Sequence, residues 1–563
     1  MKRFHLPKSA LGRTVVSLLI TLIAGFCFFY ASLPALHPKS EDFYGFLAFL
    51  SVVFMASTFL LAGIPQDDVV RTPGEKLKDW FQFVKKRCLP AALIFALALI
   101  TPVLGKIISL PVFHAGAYRD LLNVQEGSFT QDVTQVDYDE IPTLDRTSAQ
   151  YLGDRQMGTL SDMVSQFEYS NDSTQINYQG RPVRVAPIAY ADLFKWLTNR
   201  GNGLPAYVVV DMVSQEATVV RMTEGMKYSF SEPLNRNIMR HLRFQYPTFM
   251  FSHPEFEIDE NGHPWWIAPR VIKTIGLFGG VDIKGAVLVD AVTGESQYYE
   301  EVPTWVDNLY TPSLIMQQYD YYGTLVHGFI NSILGQRDVK QTTDGYNYIA
   351  MNDDVYMYTG VTSANADQSN LGFLLCNMRT KQTSFYSAPG ATEAAARQSA
   401  MGVVQDLGYV ATFPLLLNVS GEPTYFIPLM DATQLVKMYA MVNVAQYQIV
   451  ATGNTVSACE KAYIQMLSEK GLTEEVELPK SQASGTVAEI RTAVLDGNTY
   501  YFLRLTDDKI FYSISAAADR EVVTLNVGDR VTIDHAILSD DEPVSILDAY
   551  SLKIDSKAEF RFP

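Results

Sequence analysis

Three long apolar runs fall within the first 113 residues of this 563-residue chain, and the 450 residues that follow contain none. Residues 14–36, 43–64 and 89–113 are each long enough to cross the roughly 30 Å hydrocarbon layer of a bilayer at ~1.5 Å per residue. Three crossings put the chain ends on opposite faces. Orientation follows from the flanking cations, because Lys and Arg resist translocation. Lys2, Arg3, Lys8 and Arg13 precede the first run, and Arg71, Lys76, Lys78, Lys85, Lys86 and Arg87 lie between the second and third. Only Lys39 lies between the first and second. The N-terminus is therefore expected in the cytoplasm, and everything after the third run outside it. A cleaved signal peptide is the competing reading of the first run, but the run is long, lacks a clear small-residue cleavage site and precedes two more spans. Lys106, near the outer end of the third run, is expected to snorkel to the interface, and Pro102 is tolerable within a bundle.

Charge separates the two parts. The chain carries 44 basic and 61 acidic residues, a net −17; residues 1–113 hold 12 and 6, or +6, which leaves −23 for the remainder. That balance argues against a nucleic-acid partner, since phosphate binding needs a basic footprint. Four cysteines do not make a disulfide framework. Cys27 and Cys88 belong to the spans, and Cys376 and Cys459 are expected as two buried free thiols.

After a polar linker and entry segment, 114–189, the sequence returns repeatedly to one figure, an amphipathic helix followed by strands joined at short turns. Helices are expected over 191–200, 231–241, 392–407 and 456–470, from apolar spacing and end signals. Strand pairs are expected over 204–222, 284–301 and 372–387, with turns that open on Asp211, Asp290 and Asn377. Asp and Asn suit those corners because their side chains accept from nearby backbone amides. The phrase VLVDAVTGESQYY, with Asp290 to Glu295 as a D-x-x-T-G-E turn preceded by GHPWWIAP, resembles a PepSY-type repeat. Asp211 to Glu216 and Asn377 to Gln382 read as degraded copies. The resemblance extends over 190–478 and implies extracytoplasmic modules that bind or restrain proteases or other envelope proteins. The layout is also similar to multi-pass surface proteins of Gram-positive bacteria. From 479 to 563 short alternating strands with a VGDRV entry resemble an OB-fold barrel. OB-folds bind single strands through a basic groove, whereas this segment holds 8 basic and 14 acidic residues from Ser481 onward. An adaptor role suits it better, with Tyr500, Tyr501, Phe511 and Tyr512 expected in the core.

No HExxH, GxSxG, Walker A or GxGxxG sequence occurs, so the better-known zinc-protease, hydrolase and nucleotide signatures are missing. His253 and His263 flank an acidic stretch, but its alternation reads as a solvated hairpin turning at Asp259-Glu260-Asn261-Gly262 rather than as a metal site. Neither catalytic, cofactor nor metal residues are assigned. Trp265, Trp266, Tyr298, Tyr299, Tyr321 and Tyr322 are the candidate ligand or partner contacts, although adjacent strand residues face opposite ways and one ring of each pair is expected in the core. The fold class expected is three membrane helices, an outer α+β domain of helix and antiparallel-sheet repeats, and a small all-β barrel. The function expected is recognition of an envelope protein or peptide, with no cofactor and no nucleic acid. An extracytoplasmic enzyme acting on peptide or cell-wall polymer, and an accessory subunit of a transport complex, are the alternatives.

Overall fold

The computed structural model describes residues 9–62, 73–133, 141–160, 162–351, 353–363, 369–473, 480–495, 498–506, 508–516, 519–536 and 546–557. Lys2, Arg3, Lys8 and Arg71 of the expected basic flanks lie outside the described residues. The chain forms two compact units, Met1–Met466 and Leu467–Pro563.

Three helices are long and apolar enough to cross a membrane. Helix α1 (Ala10–Ser32) starts where the Ser9 hydroxyl accepts from the Gly12 amide and stops where Leu33 turns left-handed at φ 50°. Helix α2 (Glu41–Ala62) opens with Glu41 and Asp42 at its positive dipole end. Helix α3 (Pro73–Ile108) begins earlier than its apolar run, and the chain turns at Ser109, so the expected third span is corrected at its outer end. Residues 111–119 form a separate helix, α4 (Pro111–Arg119), with Pro111 in its first turn. Lys106 reaches Glu41 at 2.6 Å, an ion pair between the C-terminal end of α3 and the N-terminal end of α2.

The expected linker is largely structured. Tyr118 is buried and donates to the Ser109 carbonyl, and strand β1 (Val124–Gly127) pairs in parallel with a strand near residue 386. A short turn, α5 (Phe129–Asp132), follows. Four repeats then succeed one another, the first beginning well before residue 190. The first comprises α6 (Arg146–Gly158), β2 (Phe167–Tyr169), β3 (Thr174–Tyr178), β4 (Arg181–Tyr190), α7 (Leu193–Asn199), β5 (Leu204–Asp211) and β6 (Ala217–Met226). The second comprises α8 (Ile238–Gln245), β7 (Met250–Phe251), β8 (Glu255–Ile258), β9 (Pro264–Ile275), β10 (Gly279–Asp290) and β11 (Ser296–Tyr299). The third comprises α9 (Pro312–Thr324), α10 (Gly328–Ile330), β12 (Lys340–Thr342), β13 (Asn347–Met351), β14 (Asp354–Ser363), β15 (Ser369–Asn377) and β16 (Thr383–Ala391). The fourth comprises α11 (Glu393–Val403), β17 (Val410–Ala411), β18 (Leu415–Val419), β19 (Glu422–Met430), β20 (Val436–Asn443) and β21 (Val450–Gly453), with α12 (Val456–Glu469) after it. In each repeat the first two strands both pair with the third, and the third, fourth and fifth run antiparallel in order.

The last hairpin of every repeat is closed by one device. Asp211, Asp290 and Asn377 each accept two backbone amides two and three residues on, at 2.8–3.0 Å. Asn443 accepts from Gln446 at 2.8 Å in a turn one residue longer, which hid the fourth copy from the sequence pattern. The residue after each cap, Met212, Ala291, Met378 or Val444, donates to the start of its third strand. Its carbonyl accepts from the segment entering its own helix, through Thr143, Lys227 and Tyr228, Leu309 and Tyr310, or Ala391. Each repeat is thereby tied shut by backbone groups.

Two expectations inside the repeats are corrected. The helix expected over 231–241 begins at Ile238, because Asn237 is the cap and Glu232 is buried instead, accepting from Trp196 and Tyr190. The hairpin around Asp259 forms, but Glu257 within it is fully buried rather than solvated. Cys376 and Cys459 are both buried and unlinked.

The second unit holds β22 (Lys480–Leu495), β23 (Asn498–Leu505), β24 (Phe511–Ser515), β25 (Arg530–Ala536) and β26 (Ile546–Ser556). They close in the order β22-β23-β24-β26-β25, with β24 parallel to β26. Val487, Leu503, Ile514, Val531 and Ile533 fill the interior. Tyr512 is buried, whereas Tyr500, Tyr501 and Phe511 are partly exposed, and Arg491 lies 4.9 Å over the Phe511 ring.

Candidate ligand cavity

A cavity of about 630 Å³ opens among the four repeats, walled by residues from α6, β3, β4, β8, the start of α9, β13 and the segment between β17 and β18. Its size falls in the range of small-ligand sites. Second strands contribute Thr174 and Gln175 of β3, Glu255 of β8, and Asn347 and Tyr348 of β13 to its wall, and the loops and helix starts beside them supply the other polar groups.

Arg184 stands on β4 directly opposite Gln175 of β3, inside the apolar run Val183, Val185, Ala186. It is 5 % exposed, and its Nη atoms reach only neutral oxygens: the Ser173 carbonyl at 3.2 Å and hydroxyl at 3.5 Å, and Gln175 Oε1 at 3.4 Å. Its Nε has no acceptor. Among the described residues no carboxylate forms an ion pair with it. Burial pushes its pKa down, yet a guanidinium keeps its proton in proteins, so the site holds a buried, uncompensated cation.

Opposite charge lies elsewhere on the wall. His253 stacks on Phe230 with ring centroids 4.7 Å apart and approaches Asp172 at 3.4 Å, which holds its pKa above the usual histidine range. Glu255 accepts from Thr174 at 3.1 Å, and burial raises its pKa. Behind it Glu257 accepts the backbone amides of Asp307 and Asn308, both at 2.9 Å, and burial pushes its carboxyl up to about 7. Asp307 is likewise pushed well above the carboxylate range by burial and then by Glu257. Asn308 joins the layers, donating to Glu257 and, at 2.8 Å, to the Gln175 carbonyl.

The sequence candidates do not gather here. Trp266 is fully buried between sheets and donates to the Tyr228 carbonyl. Trp265 faces the other way, 5.8 Å from Trp305. Tyr298 bonds the Lys284 carbonyl beside Phe249, and Tyr299 packs in the second repeat's outer core. Tyr321 packs on Tyr118 at 4.7 Å and Tyr322 on Tyr319 at 5.8 Å. His263 is 3.1 Å from Asp290, as part of the turn. Among the described residues no three His, Cys, Asp or Glu side chains are grouped to hold a metal ion. The cavity residues carried one legible signal, Arg184 within the apolar stretch VRVAPIAY.

No protein-family model matches the chain, and no curated protein is significantly similar to it. A crystal structure of a point mutant of B. megaterium levansucrase is similar over 77 % of this chain and 97 % of that one, at 8 % identity and a TM-score of 0.18. A likeness of that size carries no argument about fold or activity.

Proposed function

We propose that this is a membrane-anchored binding or regulatory protein of the cell envelope, holding its repeats outside the cytoplasm to recognise a protein or peptide. The observation that carries it is the central cavity, enclosed by repeats that stand on membrane helices. Orientation is argued from position. The repeats pack on the short loop between α1 and α2, through Leu36 to Pro247, Arg243 to Leu33 and Lys39 to Lys273, and that loop has one cation against six between the second and third apolar runs, five of them on the first turns of α3. The positive-inside rule puts the sparsely charged loop outside. The repeated cap-and-turn hairpin supports the PepSY-like reading, and the closed five-strand order with one parallel pair supports the OB-like one.

An enzyme remains the second reading, because Glu255 is a half-buried carboxyl with a raised pKa on a cavity wall. Photo-crosslinking of the full chain in its native membrane, with a crosslinker placed at Ser313 on the cavity mouth, tests the first reading. A discrete partner or peptide adduct is expected. No adduct, or turnover of envelope peptide or cell-wall polymer that Glu255→Gln abolishes, would overturn it in favour of the second.

A further inference from the structure

We infer that the cavity is a receptor for the C-terminal carboxylate of a peptide, with Arg184 as the counter-charge. This rests on the binding reading above and names what is bound. A cation sealed from water persists when paired, and pairing is the usual condition for burying a charge at all. Every acceptor that Arg184 reaches is neutral, two of its three contacts are long, and one nitrogen of the fork has no acceptor. The missing element is an anion, and the cavity that Arg184 lines is where one can arrive.

Charge balance on the wall selects the kind of anion. Arg146, Arg184 and His253 share the cavity wall with Asp145, Asp172 and Glu255, so three carboxyls oppose a phosphate dianion more strongly than they oppose a single carboxylate. A planar carboxylate also fits the guanidinium fork. Gln175 and Asn308 present amide groups beside Arg184, the complement of a peptide backbone approaching with its terminus first. Capture of a chain terminus in this manner is a recurring recognition mode. The Tyr310 and Tyr348 side chains, which also line the cavity, supply amphipathic surface for the terminal side chain.

The test uses the full chain in detergent micelles and a fluorescent random heptapeptide pool in two forms, with a free C-terminal carboxylate and with a C-terminal amide. The free acid is expected to bind at least 10-fold more tightly than the amide. That preference should vanish in Arg184→Gln, and all binding should fall in Ser313→Trp, an exposed position at the cavity mouth where the fold tolerates a larger side chain. Acetate should compete weakly and inorganic phosphate no better than acetate. Equal affinity of acid and amide, binding of neither pool, or displacement by phosphate ahead of acetate would overturn the assignment. The comparison of acid with amide stands even if Arg184→Gln fails to fold. Loss of the acid preference while the crosslinked partner still forms removes this inference alone; absence of that partner while the acid preference holds removes only the wider reading.

Discussion

At the scale of single residues, Glu257 and Asp307 form a buried acidic pair in the repeats. Both are buried, Asp307 accepts the Asn177 amide at 2.7 Å, and burial raises both carboxyls above their unfolded range. A carboxyl whose pKa rises on folding makes the native state bind more protons than the unfolded one between the two values, so stability falls as pH rises through that window. For Glu257 the window runs from the ordinary glutamate value of 4.5 to about 7. One proton across it corresponds to on the order of 3 kcal/mol. The melting temperature of the full chain, followed by tryptophan fluorescence, is therefore expected to drop from pH 5 to pH 7.5. Asp307→Asn keeps an acceptor for Asn177 and removes one of the competing charges, so its melting curve should depend less on pH. An unchanged slope in both Asp307→Asn and Glu257→Gln would show that the pair does not set it. Alternation in the hairpin sequence pointed Glu255 and Glu257 to solvent. The pattern misled because a second layer, the segment ending at Asn308, covers that face and supplies amide donors, and nothing local to residues 253–266 records it.

At the scale of the element, the four caps reveal a rule that links each to the residue heading its repeat's third strand. Where the cap is an acid the partner is a basic side chain: Arg181 lies 3.3 Å from Asp211 and the His263 ring lies 3.1 Å from Asp290. Where the cap is an amide the partner is an acid: Asn377 donates to Asp354 at 2.8 Å and Asn443 to Glu422 at 3.1 Å. Like charges at this distance in a half-buried site are unfavourable. Asn377→Asp should therefore destabilise the chain by about 2 kcal/mol, the scale of a lost hydrogen bond to a charged group. Asp290→Asn, which keeps the turn's acceptor, should cost less, and Asp354→Asn added to Asn377→Asp should recover more than half of the loss in a double-mutant cycle. Additive costs would mean that cap and partner act separately. The turns were legible in sequence because capping is local, a side chain reaching amides two and three residues away. The first repeat's helix was not, since α6 has few apolar residues at helical spacing, and α9 was hidden among tyrosines that read equally well as strand.

At the scale of the whole molecule, the second repeat is fastened to the membrane helices rather than tethered above them. Ser109 at the end of α3 accepts the amides of Leu277 and Phe278 at 3.0 Å each, and Gly105 leaves room for the Phe278 ring, which a β-carbon would meet at 2.3 Å. The apolar runs at the N-terminus thus make a base as well as an anchor. A second apolar ledge stands beside it. The segment from α10 through Gly335 packs on α4, which starts three residues after α3 ends, and Ile330, Ile333 and Leu334 are 74 %, 58 % and 81 % exposed. Val112 and Phe113 on α4 continue the same surface at 45 % and 63 % exposure. Large apolar side chains clustered at this exposure are costly in water, each about 1.5–3 kcal/mol short of full burial. Their place next to the exit of α3 makes lipid the medium that relieves the cost, with the ledge lying in the interface as a short amphipathic segment does. Ile330→Trp in the full chain reconstituted with brominated lipid is therefore expected to lose most of its added fluorescence. Tyr151→Trp, exposed on α6 far along the chain from the spans, should keep its own. Adding Ile333→Asp and Leu334→Asp should restore the emission of Trp at 330 by lifting the ledge from the bilayer. Equal emission at both positions would mean that the ledge faces water and that the seat at Ser109 holds the repeats unaided.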